Sequence, residues 1–547
     1  DRATPHRPVL FNPNKEAIQT DNRGGPRGPL LPKYGKKHHR VSSRPARSES
    51  SSACQSSPGP TGRSSARCLD VRWSCPRNRT VPERDNALNP EVMRTRSLFA
   101  FALPTMASAC GQNDLPNPVL HFTTGGEKET VTYRGVERFD IERIDASDDA
   151  DRILRFDELP ETVDLGADGE YSFRAKAFDA NGLRVAAGRT LTLDLANLKG
   201  SSIPLFMART DRVSRPSGEL ELTPGSHPPA AVLNRTLVWV MRSGSKWLTT
   251  DSYSVALWQQ NTPPDAFQSI ECLQSPCELT NLVVSGRIYA VAIAKTWAYA
   301  MNTADYVGVE LDAPADLESW GNVAGGRVLT GENETALLVG ATRFEEPTDY
   351  LVEFEDAAQT TVYRLNTPRA GAAVLFEPDF GVVVAGGSAG GVGVEVLRPK
   401  KDRFVSLDYP SDSVVGAALA VQDGHRLLRM GGLTSTGEPA PTVRIDLDCE
   451  KDCELEAKPE LTLQAAQSAQ GYYDADTGVT LVVGEDSEGL TVAYRFDGTS
   501  LSTIEFPKAQ MRKHATALEL PSQQLLLLGG LDPETGDPMA SLSAVSF

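Results

Sequence analysis

Cysteine and histidine are scarce in this chain, eight and seven among 547 residues, so the position of each carries information. Cys110 closes the run Met93-Arg-Thr-Arg-Ser-Leu-Phe-Ala-Phe-Ala-Leu-Pro-Thr-Met-Ala-Ser-Ala-Cys. Two arginines, a short apolar stretch and small residues ending on cysteine are the parts of a bacterial lipoprotein export signal. The chemistry expected is cleavage after Ala109 and lipidation of the Cys110 sulfur. A protein processed in this way begins at Cys110 and works in the cell envelope, as an outer-membrane lipoprotein facing the periplasm or the surface. Ala107 stands where such a signal usually has Leu, and Pro104 interrupts the apolar run. A cleaved signal without lipid predicts the same compartment, and a short buried helix with a chance cysteine is the bland alternative.

Four cysteines follow, in two close pairs: Cys272 with Cys277 and Cys449 with Cys453. In an oxidising compartment such pairs read as local disulfides, each stabilising by on the order of 2 kcal/mol through its small loop. A zinc site at Cys449 and Cys453 would lack two ligands, and no histidine stands nearby.

Charge divides the chain at the same place. Residues 1–92 hold 17 Lys and Arg against 8 Asp and Glu, whereas from Cys110 onward the balance is 36 against 64. The first segment is rich in Arg, Pro, Ser and Gly and lacks apolar clusters, so it cannot offset its chain entropy. It is expected to be disordered. Its lack of any methionine before Met93 fits translation upstream of the true start, with a genuine basic arm as the alternative. Nucleic-acid binding is not expected, because only Phe11, Tyr34 and Trp73 could stack on bases. No other stretch reaches the ~18 apolar residues of a membrane-spanning helix.

The elements that position these residues are strands. After the signal at 93–109, residues 110–120 read as a tether. Residues 121–198 alternate apolar and polar residues, as in Tyr171-Ser-Phe-Arg-Ala-Lys-Ala, and turn at Asn181-Gly182. This pattern predicts a small Ig-like β-sandwich. Beyond residue 200 the chain repeats. Five apolar runs end in glycine, at Gly340, Gly386-Gly387, Gly431-Gly432, Gly484 and Gly529-Gly530, in steps of 46, 45, 53 and 45 residues. Each run follows a strand of small residues and precedes an alternating one, which makes a four-strand unit the size of a propeller blade. Two weaker units precede these, Pro229–Trp258 and Leu282–Leu311. The all-β expectation for 200–547 is a propeller of seven blades, with six as the alternative. The last unit has only three strands before Phe547, and the orphan run Ile203–Arg209 is expected to supply the fourth and close the ring.

Pro368-Arg-Ala-Gly-Ala-Ala-Val-Leu followed by Val382-Val-Val-Ala-Gly-Gly and Val394-Glu-Val resembles a kelch repeat. Arg512-Lys-His-Ala-Thr-Ala-Leu followed by Leu525-Leu-Leu-Leu-Gly-Gly is a second match. The arrangement over residues 200–547 resembles kelch-type envelope lipoproteins of myxobacteria and related bacteria. It departs from the kelch pattern in lacking the late tryptophan in every unit after Trp320. The resemblance is specific for fold and poor for function, because kelch propellers serve enzymes and scaffolds alike.

Copper oxidases resembling galactose oxidase are one enzymatic form of this fold. Here the histidines after the signal are His121, His227, His425 and His514. The last three stand at comparable places in the repeats, which reads as rim positions, and paired cysteines leave no thiol for the tyrosine cross-link such oxidases need. Asp474-Ala-Asp-Thr-Gly lacks the later acidic ligand of a calcium loop and reads as a hairpin turn. Ala385-Gly-Gly-Ser-Ala-Gly-Gly lacks the Lys-Ser/Thr and the helix of a phosphate loop. No catalytic residue, metal or cofactor is therefore assigned. The expectation is a non-catalytic binding or scaffolding module, held at the membrane by its lipid and taking a protein or carbohydrate ligand at a propeller rim. The alternative is a secreted hydrolase or lyase acting on polysaccharide.

Overall fold

Alternation in the sequence becomes alternation in burial. Strand Glu170–Phe178 hides every second side chain from Phe173 through Ala177, pairs antiparallel with Arg138–Ile144, and returns through Gly182, at φ +77°, to pair with Arg184–Arg189. The computed structural model describes residues 115–123, 135–145, 150–216, 225–233, 237–241, 247–251, 258–259, 279–285, 289–302, 308–331, 335–355, 359–388, 390–463 and 467–547. Among these the regular structure is strand, with only short 3-10 turns between. The export-signal residues Ala109 and Cys110, the segment 1–92, and the pair Cys272 and Cys277 lie outside the described residues.

A first sheet runs in the order Ala150–Phe156, Arg138–Ile144, Glu170–Phe178, Arg184–Arg189, Ala208–Arg209. A second runs Thr162–Asp164, Val119–Thr123, Ser202–Phe206. Leu120, Phe122, Phe139, Ile141, Phe173 and Leu205 fill the space between them. This is the sandwich. It takes in the run Ile203–Arg209, which corrects the expected closure: Ser202–Phe206 lies parallel to Val119–Thr123, and Ala208–Arg209 lies against Arg184–Arg189. The reason is legible in retrospect. Leu205 and Met207 belong to the sandwich core, while Phe206 and Ala208 point the other way, onto Leu526, Leu528 and Ala544. A period of two gives this strand two apolar faces and two jobs.

From residue 230 onward seven sheets follow in chain order, six of four strands and a last one of three, which makes a seven-bladed β-propeller. We number the blades I to VII. Their inner strands are Ala230–Leu233, Leu279–Ser285, Arg327–Thr330, Ala373–Glu377, Ala418–Asp423, Gln467–Asp474 and Thr516–Leu520. In blade I the third strand is Trp247–Asp251. The second strands of blades IV and VII, Gly381–Ala385 and Gln524–Leu528, are wholly buried between neighbouring blades. Each Val or Leu hidden there is worth about 1.5–3 kcal/mol of burial, which is why these runs are unbroken.

The ring closes one step later than expected. Ser214 takes the vacant place beside blade VII's third strand, Ser543–Ser546: its N–H donates to Ala544 O (2.7 Å) and its C=O accepts from Ala544 N–H (2.8 Å). Val213 is buried with Leu525, Val545 and Phe547. On the inner side, His227 N–H donates to His514 O (2.8 Å) and Thr516 Oγ1 to Pro228 O (2.8 Å), joining blades I and VII. Gln524 ties the sandwich to the same blade by donating to Ala187 O and Phe206 O (3.0 and 2.8 Å).

Candidate functional site

The inner strands surround an axial cavity of about 390 Å³ that opens where those strands begin. A second cavity of about 360 Å³ adjoins it at the same mouth, sharing Thr280, Gly326, Arg327, Ser468 and Gln470. The sequence prepares this mouth with one repeated device. Just before the inner strand the backbone must turn inward through the left-handed region. Blades III, IV and V place glycine there: Gly325 at φ +84°, Gly371 at +63° and Gly416 at +69°. Blade VI places Ser468, at +49°, and blades VII and I place His514, at +56°, and His227, at +43°. The shared geometry shows in the backbone bonds from blade to blade, Gly416 N–H to Gly371 O and His227 N–H to His514 O, both 2.8 Å.

Side chains at this position point at the opening, so the two imidazoles meet. Their ring centres are 5.2 Å apart. Between them stands Glu485, the last residue of blade VI's second strand, Val479–Glu485. Its Oε1 lies 3.3 Å from His227 Nε2 and 3.1 Å from His514 Nδ1. Burial pushes the His227 imidazole below its usual pKa; Glu485 opposes that shift and His514 adds to it. His514 is held from behind by Gly489, where a Cβ would stand 2.8 Å from its ring. These three residues are a set that could hold a metal ion, with one donor atom each within 4.8 Å of the others.

Deeper in the channel the donors change character. Arg327 donates to Val374 O (3.2 Å) and to Gly471 O (2.5 Å), and its guanidinium lies 4.7 Å from the Tyr472 ring centre. Glu519 faces the same space. Its side chain is exposed to the channel, and desolvation by the channel walls pushes its carboxyl up to about 7, with Asp474 adding to the shift and Arg327 opposing it. Burial also raises Tyr472 and lowers Arg327.

Across the mouth from the histidines, Phe344 projects into solvent at 56% exposure. Its ring covers Gly371 and Gly416, where added Cβ atoms would come within 3.1 Å of it. Arg343 and Glu345 flank it, and Glu345 pairs with Lys295 (2.8 Å). An exposed aromatic ring beside a cavity, ringed by ionised groups, has the make-up of a protein-binding hot spot.

The other residues singled out from the sequence lie elsewhere. Cys449 and Cys453 are bonded, at the turn between the third and fourth strands of blade V. His425 sits exposed in a hairpin of that blade, and His121 lies in the sandwich strand Val119–Thr123. The doublets Gly386-Gly387, Gly431-Gly432 and Gly529-Gly530 end second strands in left-handed backbone, whereas Gly340, just past its second strand, and Gly484, one residue before the end of its own, lack positive φ. Sequence reading missed Glu485, Phe344, Arg327 and Glu519. The available signal was register: aligning the repeats sets His514 two residues after Arg512, just as Gly371 follows Arg369.

No protein-family model matches the chain, and no curated protein matches it. Among solved structures, YCF48 bound to D1 peptide is 11% identical, covering 60% of this chain and 94% of that one, with a TM-score of 0.37. YCF48 from Cyanidioschyzon merolae gives 13% identity, 60% and 98% coverage and a TM-score of 0.37. The N-terminal domain of Nup159 gives 10% identity, 62% and 98% coverage and a TM-score of 0.35.

Proposed function

We propose that this protein is a non-catalytic propeller of the kelch type that docks a segment of a protein partner at the mouth of its channel. Phe344 carries the reading. What sets it apart is its place: the exposed ring lies at the mouth against a cavity of about 360 Å³, where a partner's apolar residue would cover it. The adjoining cavity gives that residue a place to enter, and Lys295, Arg343 and Glu345 give the rim both signs of charge for register. The run from Met93 to Cys110 supports display in the cell envelope through lipid on Cys110.

A photo-crosslinking residue at position 344 tests docking in producing cells, with position 183 as control, since Leu183 is 65% exposed on the sandwich. A discrete adduct with one protein from 344 and none from 183 is expected. Equal labelling from both, or none from 344, would overturn the reading. Intact mass of protein expressed from Met93 tests the anchor: a species beginning at acylated Cys110 supports it, and a soluble product retaining residues 93–109 refutes it.

A further inference from the structure

We propose that His227, Glu485 and His514 bind a divalent transition metal of the zinc class, which clasps the ring at its closing seam. The three donors come from blades I, VI and VII, on either side of the point where the last blade meets the first. Two imidazole nitrogens and a carboxylate oxygen are a donor set that suits zinc and its neighbours, with three protein ligands and a fourth position left for water or a ligand.

Spacing favours a metal. Donors bound at ~2.1 Å in a tetrahedron stand about 3.4 Å from one another. The carboxylate oxygen lies 3.3 and 3.1 Å from the two nitrogens, so two of the three edges already have the length a bound ion needs, and all three donors lie within 4.8 Å of one another. The set is open to solvent on the His227 side, where that side chain is 58% exposed.

Backbone conformation supplies a second, independent argument. Left-handed φ is expensive for a residue with a Cβ, and blades III, IV and V avoid the cost with glycine at this position. Blade VI accepts it for Ser468, at φ +49°, and blades VII and I accept it for the two histidines, whose rings then meet at Glu485; strain of this kind gathers where a side chain has work to do. Gly489 then holds the His514 ring toward Glu485, since any larger residue would displace it. A plain hydrogen-bond network is the competing account: one carboxylate oxygen accepting from two neutral imidazoles needs no metal.

Titration separates the two. The full chain is stripped with chelator, then titrated with Zn²⁺ against a chromophoric competitor and with Co²⁺ by visible absorption. One equivalent of tight Zn²⁺ binding is expected, together with a Co²⁺ spectrum lacking thiolate charge-transfer bands and a rise in the melting temperature on adding Zn²⁺. His227→Asn and His514→Asn should each weaken Zn²⁺ by more than the 10–100-fold that loss of an outer-shell partner costs. Asparagine is chosen because it tolerates left-handed backbone, so folding survives and circular dichroism can verify it. His425→Asn should change nothing. Absence of stoichiometric binding, a thiolate-type Co²⁺ spectrum, or Zn²⁺ affinity that survives both substitutions would overturn the site.

Discussion

Blades IV, V and VII end their second strands in a glycine doublet, while blades III and VI use a single glycine, and the two groups solve the same exit differently. In the doublet blades both glycines are left-handed: Gly386 and Gly387 at φ +73° and +67°, Gly431 and Gly432 at +69° and +80°, Gly529 and Gly530 at +64° and +86°. Such a turn swings carbonyls out of the ladder into the blade interior, where they need a donor. Each doublet blade supplies a buried arginine. Arg369 donates to Gly386 O (2.7 Å), Gly393 O (3.1 Å) and Val392 O (2.8 Å). Arg429 donates to Gly431 O (3.5 Å) and Pro441 O (3.3 Å), and Arg512 to Gly529 O (3.3 Å) and Ser541 O (2.9 Å). Gly340 and Gly484 answer only to space: a Cβ would stand 2.5 Å from Asn322 O and 2.9 Å from Gln467 O.

The counter-charges show which partner matters. Arg369 has Glu395 at 2.9 Å and Arg429 has Asp412 at 2.8 Å, all deeply buried. In place of a carboxylate, Arg512 has the hydroxyls of Ser543 (2.8 Å) and Ser541 (3.3 Å). Burial pushes its pKa down to about 10, which leaves it charged at neutral pH. Arg369 and Arg512 stand at the same place in their blades, one with an anion and one without, while Arg429 reaches its doublet from within the second strand, Arg426–Met430. Collecting carbonyls is therefore the cation's constant task, and the carboxylate is an accessory.

The largest expected effect is that of Arg369→Met, which strands both Glu395 and the carbonyls and should cost about 3–5 kcal/mol in denaturant unfolding. Arg512→Met strands carbonyls alone and should cost about 2–4 kcal/mol. Gly387→Ala, with left-handed backbone and Ala370 O only 2.5 Å from the added Cβ, should lose about 2–4 kcal/mol. Gly484→Ala meets crowding without that strain and should lose about 1–3 kcal/mol. A reversed order for the two glycines in thermal melts would break the distinction between the blade types. Ser543→Ala should cost about 1–2 kcal/mol, since Arg512 keeps its other acceptors.

The smallest effect concerns pH, on the channel side of blade VII. Glu519 titrates at about 7 when folded, against an ordinary 4.5, so the folded state holds its proton more tightly. Its contribution is fully present below about 4.5 and is lost as pH rises through about 7. Melting temperature should fall over that window, and Glu519→Gln should flatten the fall.

Much of this architecture was legible in the sequence, for a physical reason. Glycine after an apolar run marks a backbone requirement, and period-two alternation marks a sheet with one wet face. The closing strand was misplaced because Ile203–Arg209 is apolar on both faces, and a sequence does not say which neighbour claims which face. Ser214, one polar residue held by two backbone bonds, left no hydrophobic trace. At the mouth, His227 and His514 could be placed on a rim from the repeats, but Glu485 could not be joined to them. It lies 29 residues before His514, ends an ordinary buried strand, and becomes a partner only when three blades are curved together.

The most direct test of the arginines' role is the unfolding free energy of the double variant Arg369→Met with Glu395→Gln. Glutamine keeps one acceptor oxygen for the Asn366 and Thr367 N–H groups, which now bond separate Glu395 oxygens (2.6 and 3.1 Å), so one of them also loses its acceptor, a loss of about 1 kcal/mol. If the carbonyls are what the arginine serves, the double variant stays at least about 3 kcal/mol below the parent, more than the one lost N–H acceptor explains, because several carbonyls remain buried without donors. Recovery to the parent's stability would show instead that the ion pair was self-contained, and that the glycine doublet needs no cation.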